Sequence, residues 1–226
     1  MKGELWRMKK IMEFYLKHNR EIEKSDNLIT AIALYYVVMF AVLVLSVIIE
    51  FNYLSTVCKL FQLIVIFLFY LDVSKKNDTK EIWQKQKMSL KIFVSIVSLL
   101  IVMKFIFSIE TKIIREIKDI EDILIPGTAE YVGTSFDKML GAVIIGPILE
   151  ELIYRGIGIS AFKKNDNKLE VIIFTAVIFG LMHGNLPQAI SGTISGLIFG
   201  YVAIEFGILY SIICHMLYNG MFYKVI

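Results

Sequence analysis

Long apolar runs separated by short polar clusters organise this chain. The first runs from Leu28 to Ile49, enough residues for a helix to cross a hydrocarbon core of roughly 30 Å. A second covers Val57 to Val73 and a third Leu90 to Ile109. Lys59 in the second and Lys104 in the third lie close enough to an end to snorkel toward water. The fourth covers Lys138 to Phe162, the fifth Val171 to Gly184, the sixth Gln188 to Ile204 and the seventh Phe206 to Tyr223. Very short turns join the last three, which fit equally well as shorter, tilted or interrupted helices. Transmembrane strands would alternate apolar and polar residues over about 10-residue segments, and no such alternation occurs. The pattern predicts an all-α, polytopic transmembrane bundle of about seven to eight helices with a polar cavity inside it.

Composition supports this. The chain is 57% hydrophobic with three prolines, whereas a soluble domain would carry shorter apolar runs and more charge. A formal net charge of +3 is too small to argue for nucleic acid as a partner. Its distribution is more informative. Lysine and arginine crowd the lead before Leu28, the connection holding Lys75, Lys76, Lys80, Lys85 and Lys87, and the connection holding Lys163, Lys164 and Lys168. Alternate connections are nearly uncharged or acidic, which places the amino terminus in the cytoplasm. Four regions result: an amphipathic lead (1–27), three amino-terminal spans (28–109), an acidic amphipathic connector (110–137) and a core carrying the chemistry (138–226).

The lead repeats Leu5, Met8, Met12, Tyr15 and Leu16 at helical spacing among basic residues, as in a helix lying in the headgroup plane. Ile113, Ile117, Ile120 and Leu124 form a similar stripe in the connector, closed by Pro126-Gly127. No secretory signal and no carboxy-terminal prenylation box is read from the sequence. Cys58 and Cys214 lie in or beside apolar segments and read as buried thiols. Gly192, Gly196 and Gly200 recur every fourth residue, a small-residue seam that lets helices approach closely. Its role is packing, bringing the sixth span against neighbours that carry polar groups.

Those polar groups are the candidate chemistry. An ionisable residue at bilayer depth costs several kcal/mol unless paired or facing water, and is therefore functional by default. At 1.5 Å per residue, Glu150 and His183 each lie about 18 Å into their spans and His215 about 14 Å, so three helices bring polar groups to one layer. Glu151 and Arg155 stand at i and i+4 in the favourable order, a self-neutralising pair with a supporting role. Glu150 points about 100° away with no cation within one turn, the condition wanted of a general base. His215 and Asn219 share a face at i and i+4, and such donors suit a developing oxyanion. Singly, each has a bland alternative: a structural ion pair, a satisfied core histidine, an asparagine acting as glue between helices. The shared depth argues against all of these at once.

The segments Glu150-Glu-Leu-Ile-Tyr-Arg155, Phe179-Gly-Leu-Met-His183 and His215-Met-Leu-Tyr-Asn219 resemble the signatures EExxxR, FxxxH and HxxxN of the CPBP family, the CAAX proteases and bacteriocin-processing enzymes also called Abi. The resemblance covers about Met139 to the carboxy terminus. It implies an intramembrane endopeptidase with a cavity open to the cytoplasmic side. Glu150 then corresponds to the glutamate that activates water, and His183 to the histidine that holds or polarises it. His215 and Asn219 correspond to the pair that stabilises the tetrahedral oxyanion, with Glu151, Arg155 and Phe179 in support. Both metal-dependent and metal-free chemistry have been described for this family. Glu150, His183 and His215 would be the set for a divalent ion such as zinc. Glu150 cannot easily be both ligand and base, and no HExxH helix is present, which favours the metal-free version.

The resemblance implies a lipophilic or membrane-anchored peptide or protein as substrate and the bilayer as surroundings, while the compact chain and its lysine- and isoleucine-rich composition suggest the bacterial cytoplasmic membrane as location. Its rival is a catalytically silent relative that acts in bacteriocin immunity or regulation by binding a partner. An ion-coupled transporter is disfavoured because no inverted repeat is visible.

Overall fold

The computed structural model describes residues 10, 26–38, 40–41, 54–77, 87–116, 135–160, 162 and 167–221. The amphipathic lead, most of the acidic connector and the end of the first predicted span lie outside these. Among the described residues the chain is all-helical, with no strand. The elements are α1 (Asp26–Val38), α2 (Leu54–Asn77), α3 (Leu90–Glu116), α4 (residues 135–160), α5 (Lys168–Leu181), α6 (Leu186–Phe206) and α7 (Ile208–Gly220). Three stretches, Thr56–Lys75, Leu90–Ile109 and Leu186–Phe206, are long and apolar enough to cross a membrane. With large apolar side chains such as Phe61, Leu68, Val102 and Phe105 turned outward, the molecule is a membrane protein.

The carboxy-terminal helices are shorter than the predicted spans, for local reasons. α5 stops at Leu181, so His183 is carried on the turn after it rather than inside a helix. Asn185 then caps α6: its side-chain oxygen accepts from Gln188 N at 2.9 Å, with Pro187 in the first turn. Asn167 caps α5 in the same manner, accepting from Leu169 N at 3.0 Å. A single residue, Gly207, joins α6 to α7.

α4 is not one regular helix. Two π-helical segments, Gly141–Ile145 and Leu152–Ile157, flank the short α-helical piece Gly146–Glu151 that carries both glutamates. Such widened turns are rare and concentrate at functional sites. α4 lies in the core, where Leu149, Ile153 and Ile157 pack with Tyr70 of α2, Phe179 of α5 and Phe199 of α6. Buried Asp137, near its start, accepts from Thr56 N at 3.1 Å and from the Thr56 hydroxyl, holding the beginning of α2 against α4.

The two interior lysines both approach groups on other helices. Lys104 places its ammonium 4.7 Å from the centre of the Tyr218 ring on α7, and Lys59 turns its Nζ against Gly141 of α4. A cation–π contact and nearby carboxylates help to balance these ammonium charges.

α5 and α6 pack antiparallel and very closely. At Gly180 of α5 any Cβ would overlap the Thr193 side chain and lie 2.7 Å from the Thr193 nitrogen of α6. Gly180→Ala is therefore expected to destabilise the fold by about 1–3 kcal/mol, the usual range for overpacking. A fall in the thermal midpoint of detergent-purified protein would register it; an unchanged midpoint would mean that the helices separate freely.

Candidate active site

Glu150 and Glu151, adjacent in sequence, face different surroundings. Glu150 keeps 25% of its side-chain surface and lines a cavity of about 240 Å³. Tyr35 and Tyr36 of α1, Ile153 and Tyr154 of α4, Phe179 and Met182 complete its walls, together with His183. Glu151 is fully buried. Its Oε1 accepts from Arg155 Nη1 at 2.9 Å and sits 3.0 Å from His215 Nδ1, while Oε2 accepts from the Ser211 hydroxyl at 2.6 Å. The expected i, i+4 pair thus forms, with a histidine and a serine added to it.

Arg155 is also fully buried, and its Nη2 donates to the Gly196 carbonyl of α6 at 3.0 Å. Its guanidinium lies 4.6 Å from the centre of the Phe179 ring and 5.7 Å from that of Phe199. Aromatic faces of this kind help to offset the lost hydration of a cation. Phe179 is a wedge shared by the whole site: it meets His183 edge-on at 4.9 Å, His215 at 5.6 Å and Tyr154 at 5.3 Å. Phe199 stacks on His215 at 4.5 Å with the planes 20° apart.

The two imidazoles have defined hydrogen-bonding faces. His183 Nδ1 lies 2.9 Å from the Phe179 carbonyl, which can only accept, so Nδ1 carries the proton. In the neutral ring, Nε2 is left as an acceptor. His215 Nδ1 meets the Glu151 carboxylate, while its Nε2 lies 3.5 Å from Glu150 Oε2. The structure therefore links Glu150 to His215 and lines one cavity with Glu150 and His183. Neither His215 nor Asn219 is among the cavity-lining residues, and Asn219 Nδ2 donates to the Ala142 carbonyl of α4 at 2.9 Å.

No cation stands three or four residues from Glu150 on α4, but Arg155 five residues on and Lys59 of α2 are both close enough to interact with it, and Lys59 also with Asp137. Among the described residues, no group of three or more His, Cys, Asp or Glu side chains is placed to hold a metal ion. Glu150, His183 and His215 thus do not form a three-ligand cluster in this arrangement.

The sequence motifs name Glu150, Glu151, Arg155, Phe179, His183, His215 and Asn219. They do not reach Ser211, Phe199, the Gly196 carbonyl, Tyr35, Tyr36 or Lys59. Ser211 carried a usable signal, being a polar residue one helical turn before His215. The two α1 tyrosines carried none, because their role depends on how α1 docks.

Residues 134–221 match the family model described as type II CAAX prenyl endopeptidase Rce1-like. The match is to the CAAX protease family. It takes in α4 to α7, and with them Glu150, His183, His215 and Asn219, and it leaves out α1 to α3. The family so described is one of CAAX prenyl endopeptidases. No curated protein and no solved structure matches the chain. Lys59, Tyr35 and Tyr36 reach the CAAX protease-like core from outside the matched stretch.

Glu151→Ala would leave the buried Arg155 guanidinium without its direct carboxylate. The expected cost is about 3–5 kcal/mol, the range for breaking a buried pair by removing one partner. Replacing both, Glu151→Leu with Arg155→Met, should recover much of that stability. Thermal unfolding of the single and double variants checks it, and equal midpoints for Glu151→Ala and wild type would contradict a buried charge hub.

Proposed function

We propose that the protein is an intramembrane endopeptidase that hydrolyses a peptide bond in a membrane-associated or lipophilic peptide or protein. One observation carries the reading: a partly exposed carboxylate, Glu150, shares a cavity with the acceptor nitrogen of His183 and lies 3.5 Å from Nε2 of His215. A carboxylate and an imidazole acceptor together can orient one water by accepting both of its protons.

The chemistry then runs on the chain's own residues. Glu150 removes a proton as the water oxygen attacks the scissile carbonyl carbon, leaving a tetrahedral oxyanion. Once protonated, Glu150 can pass that proton to His215 Nε2. With Nδ1–H already committed to Glu151, Nε2 is a donor only after it has received a proton. Proton transfer thus creates the donor at the moment the oxyanion needs one. The second N–H of Asn219, the one not used on Ala142, is available as a further donor. Collapse of the intermediate breaks the C–N bond, and the leaving amine takes the proton. Basic connections favour a cytoplasmic amino terminus, and the family resemblance implies a site that opens to the same side. The apolar exterior and the aromatic cavity wall fit a substrate that arrives through or along the bilayer.

Glu150→Gln keeps size and polarity while removing the base. It should lower cleavage by about 10²–10⁴-fold, the usual contribution of a general base, with an unchanged thermal midpoint. The assay is cleavage of a fluorogenic prenylated CAAX peptide by detergent-purified protein, paired with peptidomics of cells carrying wild type or Glu150→Ala. A variant that cleaves as well as wild type, or that keeps its biological effect with no cleavage, would favour a silent partner-binding role instead.

A further inference from the structure

The hydroxyl of Ser211 has no part in the reaction as set out above, yet it is completely buried at the site. It stands four residues before His215 on α7, and its Oγ lies 2.6 Å from Glu151 Oε2 and 2.9 Å from the Phe199 carbonyl. Both partners are acceptors and a hydroxyl has a single proton, so the two share it. The other oxygen of the same carboxylate holds Arg155 at 2.9 Å and His215 Nδ1 at 3.0 Å. An ionised carboxylate has no proton to give, so Nδ1 is the donor in the His215 bond. The residue whose carbonyl holds Ser211, Phe199, also stacks on the His215 ring. Ring plane and tautomer are thus fixed from one cluster.

We propose that Ser211 is a positioning residue for the peptidase. It anchors Glu151 so that the His215 proton stays on Nδ1 and the Nε2 lone pair faces Glu150. The inference rests on the peptidase reading for its consequence, and on geometry for its cause. The terminal torsion of a glutamate is broad, so a carboxylate held at only one oxygen can swivel. A ring that then shifts its proton to Nε2 can no longer accept from Glu150, and the step that forms the oxyanion donor is lost.

The test uses the full chain, with ring-¹⁵N-labelled histidine, in lipid nanodiscs. The sequence has three histidines, and His215→Gln assigns the signal of interest. Ser211→Ala removes the hydroxyl; Ser211→Cys refills its space with a much weaker donor. The expected wild-type spectrum has a protonated Nδ1 and a bare Nε2 on His215, and both variants should show mixed tautomers. Cleavage of a farnesylated CAAX peptide should fall about tenfold in kcat in both, with KM within about twofold, as for one lost hydrogen bond to a charged group. A wild-type ring lacking the Nδ1 proton overturns the assignment, as does an unchanged ring signature in the variants. Full recovery of kcat by Ser211→Cys reduces Ser211 to packing and also overturns it. Wild-type protein that shows the expected ring signatures but cleaves nothing refutes the peptidase reading and leaves the anchoring role supported.

Discussion

A glutamate and an arginine sealed from water inside an apolar bundle have to be neutralised almost perfectly. Taking both ions out of water costs several kcal/mol each, and mutual attraction repays that only when the remaining lone pairs and protons are also used. Glu151 and Arg155 meet most of this demand through α6 and α7, with Arg155 Nε left without a hydrogen-bond partner among the described residues. Arg155 reaches across to the Gly196 carbonyl on α6, and Glu151 reaches Ser211 and His215 on α7. Three helices of the matched core are thereby tied to one ion pair. His215 is held by the same pair that stabilises the fold, so stability and the proposed chemistry are coupled here.

Apolar geometry makes that coupling possible. Gly196 lets α6 come so near that an added Cβ would lie 3.1 Å from Arg155 Nη2 and 3.1 Å from Phe179 Cδ1. The small-residue seam therefore packs directly against the buried charge rather than merely near it. Phe179 and Phe199 then fill the remaining space with aromatic faces, which accept a guanidinium better than aliphatic side chains would. The result is a dry lower layer, built on Glu151, beneath a cavity into which Glu150 projects.

Much of this arrangement was legible in the sequence because it depends on helical spacing. Glu151 with Arg155, and the separation of Glu150 from that pair, follow from the α-helical period, and both appear in the structure. The small-residue seam was legible for the same reason. The end of α5 was less so: hydropathy continues through Met182, but the backbone turns before His183 and lets Asn185 cap the next helix. For Lys59 and Lys104, sequence shows how far each lies from a helix end, not that they meet Gly141 of α4 and the Tyr218 ring. Tyr35 and Tyr36 enter the cavity wall through docking of α1, a long-range fact that no local period encodes. The π-helical segments were equally hidden, since one extra residue per turn leaves almost no mark on an apolar pattern.

One of those hidden turns explains where Asn219 points. In the first π-helical segment the bonds run from each N–H to the carbonyl five residues earlier, as Gly146 does to Gly141. The next donor in that register would be residue 147, which is proline and has no N–H to give. Its partner, the Ala142 carbonyl, is left without a helical donor, and this is the carbonyl that the Asn219 amide reaches from α7. Proline and asparagine thus belong to one device that joins the end of HxxxN to the helix bearing EExxxR. Of the two amide protons of Asn219, one is spent on this join. Any help it gives to an oxyanion falls to the other, and the first fixes where that proton can point.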